Sequence, residues 1–426
     1  MTSSSSPLPW SLLPDHASVG ARGHLLIAGC DTVELAAQFG TPLFVYDEAH
    51  LRARCQEAVA AFGPGVSYAT KAFLCRAMAR LAFEEGMHLD VSTRGEYHVA
   101  RAAGVPADRL VLHGNNKSLD ELRTALEEGV GRVVVDSFDE MDRIEQLVAE
   151  GCRPPRVLIR ITPGVEAHTH EFIRTGQDDS KFGFPVYSGD ADRALDRAMA
   201  SGGMDLVGIH AHIGSQVFEA QFFELAVEAL AGFVNAHRLP EFSLGGGLGV
   251  AYVEGERAPS ITEWAAVIHH ACEVNGITAR VTAEPGRAIV AAAAVTLYTV
   301  GTIKDLPGIR TYVAVDGGMS DNPRPVLYGS GYETFLPRAV EAPRPKVVTV
   351  VGKHCESGDK LVIDGRVPED LRVGDLLATP VTGAYGHSMG SNYNKVTRPA
   401  VVFVRDGEAR LVVRRETLDD LLRLDM

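Results

Sequence analysis

The sequence lacks an apolar run long enough to cross a bilayer, although 46% of its 426 residues are hydrophobic and 23% are charged. Both proportions are typical of soluble globular proteins. The N-terminus reads Met-Thr-Ser-Ser-Ser-Ser-Pro, without the basic cluster and apolar core of a secretory signal or a transit peptide. We therefore expect a cytoplasmic protein with no membrane partner.

Positive charge is also scarce. The chain carries 41 Lys and Arg residues against 55 Asp and Glu residues, which gives a formal net charge of −14. A protein that binds nucleic acid normally needs a basic surface that neutralises several phosphates. The charge balance argues against a nucleic-acid partner, and it favours solubility instead.

Paired cysteine spacings are missing as well, which excludes a disulfide framework and a zinc ribbon. We predict no metal ligands, and we expect most of the cysteines to be reduced and buried. The six cysteines are scattered along the chain, at Cys30, Cys55, Cys75, Cys152, Cys272 and Cys355.

Short apolar runs alternate with amphipathic helical stretches in the first two thirds of the chain, as in parallel strands joined by crossover helices. They indicate an α/β fold, a closed (β/α)8 barrel of the TIM type over residues 41–288. An open doubly wound sheet is the alternative, but the Gly-x-Gly-x-x-Gly turn that usually follows its first strand is missing. The eight predicted strands are Val66–Ala69, Leu89–Val91, Leu110–His113, Arg132–Val135, Arg156–Ile161, Leu206–Ala211, Phe242–Leu244 and Ile277–Ala283.

After the barrel, strand-like runs follow one another without regular helices between them, which predicts a mainly β domain over residues 289–426. We expect an N-terminal arm, residues 1–40, to complete this domain with a strand near Leu25. Within the arm, Asp31 should cap a short helix that Gly40 ends. The predicted strands of the domain are Ile289–Val300, Thr311–Val315, Lys346–Val351, Leu376–Pro380 and Pro399–Val413.

Polar residues follow seven of the eight barrel strands, and the active site of such a barrel lies at the carboxyl ends of its strands. Lys71 comes directly after the first strand. A lysine amine held at the end of a core strand suits Schiff-base chemistry. A solvated lysine at an ordinary strand-to-helix turn is the alternative, and Lys71 judged alone would favour it. The other polar groups at strand ends are Asp90, His113–Asn116, Arg160, His210–Gln216, Gly245–Gly247 and Glu284–Arg287.

Five ordered motifs together resemble the fold type III PLP-dependent decarboxylases, and within that group the diaminopimelate decarboxylases. The resemblance runs from about Gly40 to Pro399. It implies an alanine racemase-like barrel, pyridoxal 5'-phosphate as cofactor, and decarboxylation of meso-2,6-diaminopimelate to L-lysine and CO2, the last step of lysine biosynthesis. The motifs are Lys71, His212-Ile-Gly-Ser215-Gln216, Gly245-Gly-Gly247, Glu284-Pro-Gly-Arg287 and Cys355-Glu-Ser-Gly-Asp359.

The resemblance also implies which side chains hold the cofactor. Lys71 would anchor it covalently, with Asp90 nearby, and His212 would stack on the ring. Judged alone, His212 is also explained by a core histidine, and Gly245–Gly247 by a flexible turn. Bare glycine N–H groups let a phosphate approach closely. A carboxylate at Glu284 would favour a protonated ring nitrogen, the stronger electron sink. The cofactor-binding set is Lys71, Asp90, His212, Ser215, Gly245, Gly246, Gly247, Glu284 and Tyr385.

The family delivers the Cys355 motif to the active site of the partner subunit, so the resemblance implies a homodimer with shared active sites. Cys355 would return a proton to Cα after CO2 leaves, and a buried inert cysteine is the alternative. A guanidinium fork suits the distal carboxylate of the substrate, while Glu356 would meet the distal ammonium. The implied substrate-binding set is Arg287, Arg324, Tyr328, Glu356 and Tyr385.

Three other functions remain open at this stage. A barrel amino-acid racemase would share Lys71 but needs a second acid/base group on the opposite face of the cofactor. A decarboxylase of carboxynorspermidine, arginine or ornithine would want an acidic group at the distal end of its substrate. A non-catalytic PLP-binding protein would need no Cys355 motif. After Lys71 the chain reads Ala-Phe-Leu-Cys instead of the commoner Ala-Asn, and we expect no change of reaction from this departure.

Overall fold

The computed structural model describes residues 6–162 and 180–426, and the chain divides into two compact units. The barrel unit comprises Arg54–Gly249 and Ala258–Ala288. The β unit comprises Met1–Ala53, Val250–Arg257 and Ile289–Met426, so it is built from three separate stretches of sequence. The predicted first residue of the barrel, 41, thus lies in the β unit.

The N-terminal residues form a small antiparallel sheet of three strands, β1 (Ala17–Val19), β2 (Leu25–Ile27) and β3 (Cys30–Asp31). Helix α1 (Thr32–Phe39) follows it. The Asp31 side chain accepts hydrogen bonds from the N–H groups of Val33 and Glu34, and Gly40 ends the helix at φ +71°. The cap and the stop predicted from the sequence are therefore confirmed.

Strand β4 (Leu43–Asp47) and helix α2 (Glu48–Phe62) come next, before the barrel strands. All eight predicted barrel strands are present and parallel, in the order β13-β12-β11-β9-β8-β7-β6-β5. A two-residue strand, β10 (Phe184–Pro185), pairs with β9. The eight strands are β5 (Ser67–Ala69), β6 (His88–Val91), β7 (Leu110–Leu112), β8 (Arg132–Val135), β9 (Arg156–Thr162), β11 (Asp205–Ala211), β12 (Glu241–Ser243) and β13 (Arg280–Thr282).

Two backbone hydrogen bonds close the ring of strands. Ser67 N–H donates to the Ala283 carbonyl (3.0 Å) and Ala69 N–H to the Pro285 carbonyl (3.2 Å), which joins β5 to the residues after β13. The helices between the strands begin at serine or threonine caps in several cases, as at Ser118 and Ser260, which form capping boxes. These helices are α3 (Arg76–Glu84), α4 (Arg94–Ala102), α5 (Leu119–Glu128), α6 (Phe138–Ala149), α7 (Asp190–Ala200), α8 (Gln221–His237) and α9 (Ile261–Val274), and a short α10 (Arg287–Val290) follows β13.

The β unit contains a second sheet, in the order β17-β16-β15-β14-β4-β19-β20, with β18 also paired to β14. A short helix, α11 (Arg324–Tyr328), lies between β15 and β16 in the chain. In residues 6–162 and 180–426, no helix has the length and apolar character needed to cross a membrane. The strands are β14 (Ala294–Leu306), β15 (Arg310–Val315), β16 (Lys346–Val351), β17 (Lys360–Val367), β18 (Leu376–Pro380), β19 (Ala400–Arg405) and β20 (Glu408–Val413).

The N-terminal strand that completes this sheet is β4, which lies beyond the predicted arm of residues 1–40, and the prediction that the strand near Leu25 does so is wrong. Strand β2 pairs with β1 and β3, whereas β4 pairs antiparallel with β14 and parallel with β19. All five residues of Leu43–Asp47 are buried. A strand with neighbours on both edges and both faces covered reads as a continuous apolar run, and Leu-Phe-Val-Tyr fits that position better than the short Leu25 segment.

Candidate active site

Lys71 lies directly after β5, in a single turn of 3-10 helix over Thr70–Ala72, and its side chain is exposed. The Thr70 hydroxyl donates to the Asp90 carbonyl (2.8 Å), which fixes this turn to β6. On the other side, a Cβ on Gly286 would stand 2.9 Å from the Ala69 carbonyl oxygen, so the turn after Glu284 packs against the end of β5. The closure of the barrel therefore places Lys71 beside the Glu284-Pro-Gly turn.

Glu284 is the centre of a buried polar cluster at the end of β13. Its Oε2 lies 3.0 Å from His210 Nε2, and its Oε1 accepts a hydrogen bond from the Ser243 hydroxyl (3.0 Å). His113 Nε2 lies 3.5 Å from Glu284 Oε1 and 3.6 Å from Asp90 Oδ1, longer than ordinary hydrogen bonds. The cluster thus joins the ends of five strands.

The charge states in this cluster follow from burial and from the pairing. Burial alone would raise the pKa of Glu284, but His210 and His113 outweigh it and hold that pKa well below its usual range. Burial raises the pKa of Asp90, against the opposing effect of His113. Burial would lower the pKa of His113, but Asp90 and Glu284 raise it, whereas burial does lower the pKa of His210. Glu284 is therefore the group that stays ionised.

His113 and His210 were predicted only as polar residues at strand ends, without a role. The donor atoms of His113, His210 and Glu284 lie within 4.8 Å of one another, a spacing that metal ligands also show. However, Glu284 and His210 are at direct hydrogen-bond distance, which accounts for their approach without an ion. The signal that could have found these histidines is their shared position at the ends of strands that neighbour a buried carboxylate.

His212 is half-buried directly after β11. Burial lowers its pKa to about 3, and the charges of Lys71 and Arg160 add to that effect, so the imidazole is neutral near pH 7. Three residues further on, the exposed Ser215 accepts a hydrogen bond from Arg287 Nη2 (3.0 Å). The hydroxyl proton of Ser215 remains able to donate to an anion.

The glycine triplet after β12 is packed so tightly that side chains would not fit. A Cβ on Gly245 would stand 2.7 Å from His212 Nδ1, and one on Gly246 would stand 2.5 Å from the Glu284 carbonyl oxygen. Gly247 has φ +117°, and its Cβ would meet the Gly214 carbonyl oxygen at 2.5 Å. The triplet therefore packs against both the His212 and the Glu284 segments, and no side chains of its own cover its backbone.

Arg324 is the predicted substrate residue with the most distinctive surroundings in the β unit. It is 4% exposed, its Nη1 donates to the Tyr332 hydroxyl (2.6 Å), and its guanidinium lies 4.2 Å from the centre of the Tyr252 ring. In the part of the chain that the structure describes, no carboxylate oxygen lies within 4.0 Å of it. A buried guanidinium without an acidic partner is suited to receive an anion.

The other predicted residues of the β unit lie at its surface or partly buried. Cys355 is exposed, and its N–H donates to the Asn394 side-chain oxygen (3.1 Å). Glu356 is exposed too, as is Tyr328 at 66%, and Tyr385 is half-buried with φ +60°. Four of the six cysteines are buried, as expected: Cys30, Cys55, Cys75 and Cys272.

Comparison with known proteins places these residues in context. A family model described as pyridoxal-dependent decarboxylase, pyridoxal binding domain, matches residues 48–291. The chain is 48% identical to the diaminopimelate decarboxylase of Mycobacterium tuberculosis over 425 residues (95% of each chain), and 47% identical to that of Bacillus subtilis over 421 residues (95% and 96%). It is also similar to a crystal structure of diaminopimelate decarboxylase from M. jannaschii in co-complex with L-lysine, with TM-score 0.91, 32% identity, and 97% and 98% coverage.

Proposed function

The chain belongs to the diaminopimelate decarboxylases, within the pyridoxal-dependent decarboxylases, and from this membership we propose how its own residues serve the reaction. The protein is a PLP-dependent carboxy-lyase that converts meso-2,6-diaminopimelate to L-lysine and CO2, the last step of lysine biosynthesis. The function predicted from the five motifs is thereby confirmed. The roles of individual residues are our proposal.

The residues of the barrel unit fit the cofactor. Three buried polar atoms near Glu284 make no hydrogen bond within the described residues, namely Asp90 Oδ1, His113 Nε2 and His210 Nδ1. A buried polar atom without a partner costs on the order of 1–3 kcal/mol, so such atoms favour a polar group in their vicinity. When bound, pyridoxal phosphate supplies an electron sink for the electron pair that departing CO2 leaves at Cα. Lys71 would hold it covalently.

The packing of the glycine triplet is the observation that carries the assignment of the cofactor site. Gly245 contacts the His212 segment and Gly246 contacts the Glu284 segment, so the groups proposed for phosphate, ring face and ring nitrogen adjoin one another. The uncovered N–H groups of the triplet and the Ser215 hydroxyl would bind the phosphate, together with Tyr385. Neutral His212 would lie against the ring without adding charge to it.

Glu284 would set the protonation of the ring nitrogen. Because its pKa is held well below the usual range, the carboxylate is ionised throughout the neutral pH range and can accept a hydrogen bond from a protonated nitrogen. His210 and Ser243 hold its two oxygens in place, which fixes the direction in which it can accept. Asp90 would act near Lys71, whose charge already influences the Asp90 carboxyl.

Arg324 would bind the distal carboxylate of meso-diaminopimelate. Its burial between two tyrosines without a carboxylate supports this role, because an anionic substrate would supply the missing charge. Arg287, Tyr328 and Tyr385 are proposed to complete the substrate set, with Glu356 meeting the distal ammonium. An enzyme that bound ornithine or arginine would gain nothing from a buried cation at this position.

We propose that Cys355 returns the proton to Cα and that it does so in the active site of a partner subunit. Its exposure in the β unit supports this, because a thiol that faces outward can enter another chain's site. The enzyme would then be a homodimer with two shared sites. Free cysteines, including an exposed one, suit a reducing compartment and support a cytoplasmic location.

The test is to incubate the purified enzyme with pyridoxal phosphate and each of meso-diaminopimelate, lysine, ornithine and arginine, and to measure CO2 and product. We expect CO2 and L-lysine from meso-diaminopimelate and little turnover of the others. Comparable turnover of ornithine or arginine would contradict the proposed role of Arg324 in binding a distal carboxylate.

A further inference from the structure

The amino ends of the barrel strands carry a concentration of charged residues that the reaction does not use. His88, Arg132, Arg156, Glu241 and Arg280 are each the first residue of their strand. They line a cavity of about 460 Å³ within the barrel unit. Since Lys71 and the glycine triplet follow the carboxyl ends of strands, this cavity opens at the opposite end of the barrel.

The cavity is lined by more guanidinium groups than carboxylates. Glu241 is shared by three guanidinium groups: Arg132 binds it at 2.6 and 3.0 Å, Arg280 at 2.8 Å, and Arg156 lies 3.7 Å away. Arg109 adds a fourth guanidinium, and Asp108 is the other carboxylate in the lining besides Glu284. His210 and Ser243 already engage Glu284. Four cations thus face three carboxylates in the lining, and a fourth carboxylate, Asp205, lies 3.8 Å from Arg156.

Two further side chains of the lining, Arg109 and His88, lie among these groups. Arg109 donates to the carbonyls of Gly86 and Met87 (2.7 and 3.3 Å), while its Nε is buried and makes no hydrogen bond within the described residues. Burial lowers the pKa of His88 to about 4, and the charges of Arg109, Arg132 and Arg280 add to that effect.

We propose that this cavity at the amino end of the barrel binds a small polyanion of the phosphate or polycarboxylate type. A set of ion pairs that only sealed the end of the barrel would fill its space and satisfy every guanidinium. This set encloses an open volume, leaves Arg156 without a carboxylate at hydrogen-bond distance, and leaves the buried Arg109 Nε without a hydrogen bond within the described residues. Guanidinium forks bind carboxylate and phosphate oxygens in pairs. A volume of about 460 Å³ is in the range of small-molecule sites and exceeds what a single water or chloride needs.

Arg156 is the guanidinium most available to a ligand. Its side chain is 52% exposed, and its two carboxylate neighbours, Asp205 and Glu241, lie at 3.8 and 3.7 Å, beyond hydrogen-bond distance. Arg132 and Arg280 hold Glu241 at shorter distances and form the wall of the site. The site includes neither Lys71 nor Cys355, and Glu284 belongs both to its lining and to the proposed cofactor site.

The test uses the holoenzyme saturated with pyridoxal phosphate and isothermal titration calorimetry. One arm is titrated with inorganic pyrophosphate and the other with citrate, and sodium chloride of equal ionic strength is the control. The cofactor absorbance is recorded before and after each titration, which verifies that the anion has not displaced the cofactor phosphate. We expect one bound anion per chain in at least one arm. The arm that binds identifies phosphate or carboxylate as the preferred group.

Arg156→Gln should weaken binding roughly tenfold, because it removes one charged hydrogen-bonding partner of the anion. Arg123→Gln is the matched control: this arginine on α5 lies outside the cavity and pairs with Glu150, so affinity should not change. Arg280→Gln, at a side chain 41% exposed, gives a second variant if the first is misfolded by circular dichroism. The proposal would be overturned if neither pyrophosphate nor citrate bound at millimolar concentration. It would also be overturned if Arg156→Gln and Arg280→Gln both bound the anion with wild-type affinity.

Discussion

Lys71 and Lys117 both follow barrel strands, but the surroundings of their amines differ. The Lys117 amine is buried, 2.7 Å from each of three oxygens, on Glu140, Gly114 and Val134. The amine therefore donates to two carbonyls and forms a buried ion pair with Glu140. The Lys71 side chain is exposed beside the Glu284 turn. Of these two lysines, Lys71 is therefore the one that we propose as the cofactor anchor.

The first prediction is that reduction of the holoenzyme with borohydride fixes the pyridoxyl group to Lys71. Peptide mapping by mass spectrometry locates the modified lysine. Lys117 serves as an internal control, since its amine is enclosed and should remain unmodified. A pyridoxyl group on Lys117, or on the exposed Lys181, would contradict the anchor assignment.

A second prediction concerns substrate selection. Arg324→Ala should lower kcat/KM for meso-diaminopimelate by roughly thirtyfold or more, because losing a charged partner in a desolvated site costs on the order of 2–5 kcal/mol. Cofactor binding, followed by absorbance titration, should change little. Arg423→Ala, at an exposed arginine, is the control for loss of charge. Unchanged kcat/KM in Arg324→Ala would show that another group holds the distal carboxylate.

A third prediction concerns the stability of the β unit. Asp321 is 2% exposed and accepts hydrogen bonds from the Tyr298 hydroxyl (2.8 Å) and from Gly318 N–H (2.7 Å). Burial raises its pKa to about 7, from 3.8 in an unperturbed carboxyl. Between those values the folded chain keeps a proton that the unfolded chain has released, so the free energy of unfolding falls as the pH rises towards about 7. The loss is at most about 4 kcal/mol and is complete above that pH.

Asp321→Asn removes this titration and should therefore gain stability relative to wild type as the pH rises from about 5 to about 8. The measurement is the urea midpoint of unfolding at both pH values. Asp364→Asn is the control, because Asp364 is exposed at φ +54°, a conformation that asparagine adopts equally well. A constant difference between Asp321→Asn and wild type at the two pH values would contradict the raised pKa.

Candidate site residues could be proposed from the sequence where they belong to a contiguous motif. Residues that come together from distant segments could not. Arg324 and Cys355 were proposed because they stand in recognisable runs. His113 was noted only as a polar residue at a strand end, and Asn394 was not considered, since their partners, Glu284 and Cys355, are distant in the sequence. A hydrogen bond between distant segments leaves no periodic or compositional trace.

At the scale of elements, the turn of Gly245–Gly247 illustrates a segment whose conformation depends on its neighbours. The Gly245 carbonyl accepts from Glu284 N–H (2.8 Å), and the Gly247 carbonyl accepts from Val217 N–H (2.9 Å). The turn is thus bound to the segments that follow both β13 and β11. Its geometry and theirs cannot change separately.

The fourth prediction follows from that packing. Gly247→Ala should weaken pyridoxal phosphate binding about tenfold or more, because alanine is strained at φ +117° and its Cβ would stand 2.5 Å from the Gly214 carbonyl. Absorbance titration of the apoenzyme measures the affinity. Gly232→Ala is the matched control, at an exposed helical position where a Cβ meets nothing within 4 Å. If Gly247→Ala bound pyridoxal phosphate with wild-type affinity, the triplet would not belong to the phosphate site.

The eight barrel strands were predictable because each is a short buried run between amphipathic helices. Strand β17 was missed. Its sequence, Lys-Leu-Val-Ile-Asp-Gly-Arg-Val, contains Asp364-Gly365, which reads as a turn, and its pairing with β16 does shift register twice. The single predicted run Pro399–Val413 is two strands, separated at Asp406-Gly407, where both residues have positive φ.

At the scale of the whole molecule, the arrangement of the chain could be predicted only in outline. The sequence indicated a barrel followed by a β domain completed from the N-terminus. Which N-terminal strand enters the sheet depends on competition between Leu25–Ile27 and Leu43–Asp47 for the space between β14 and β19. Local propensity does not decide that competition, because both segments are good strands, and the fit of side chains on two faces does.

The fifth prediction tests the proposed dimer. Lys71→Ala and Cys355→Ala should each be nearly inactive, and mixed subunits should recover activity, because a hybrid dimer contains one site with both groups. With random exchange the recovery is about a quarter of wild type. Lys71→Ala mixed with Glu284→Gln is the control, since both changes affect the same barrel and no site in that hybrid is complete. If native mass spectrometry confirmed the hybrid dimers but activity did not recover, Cys355 would lie outside the partner's site.

The position of β4 in the sheet has a consequence for how the protein is made. The strand leaves the ribosome early, at residues 43–47, but its neighbours β14 and β19 begin at residues 294 and 400. At synthesis rates of roughly 5–20 residues per second, an apolar strand with two unsatisfied edges waits for tens of seconds while the barrel residues emerge. The sheet of the β unit can therefore be completed only after the barrel residues have been synthesised, and until then β4 is an exposed apolar segment.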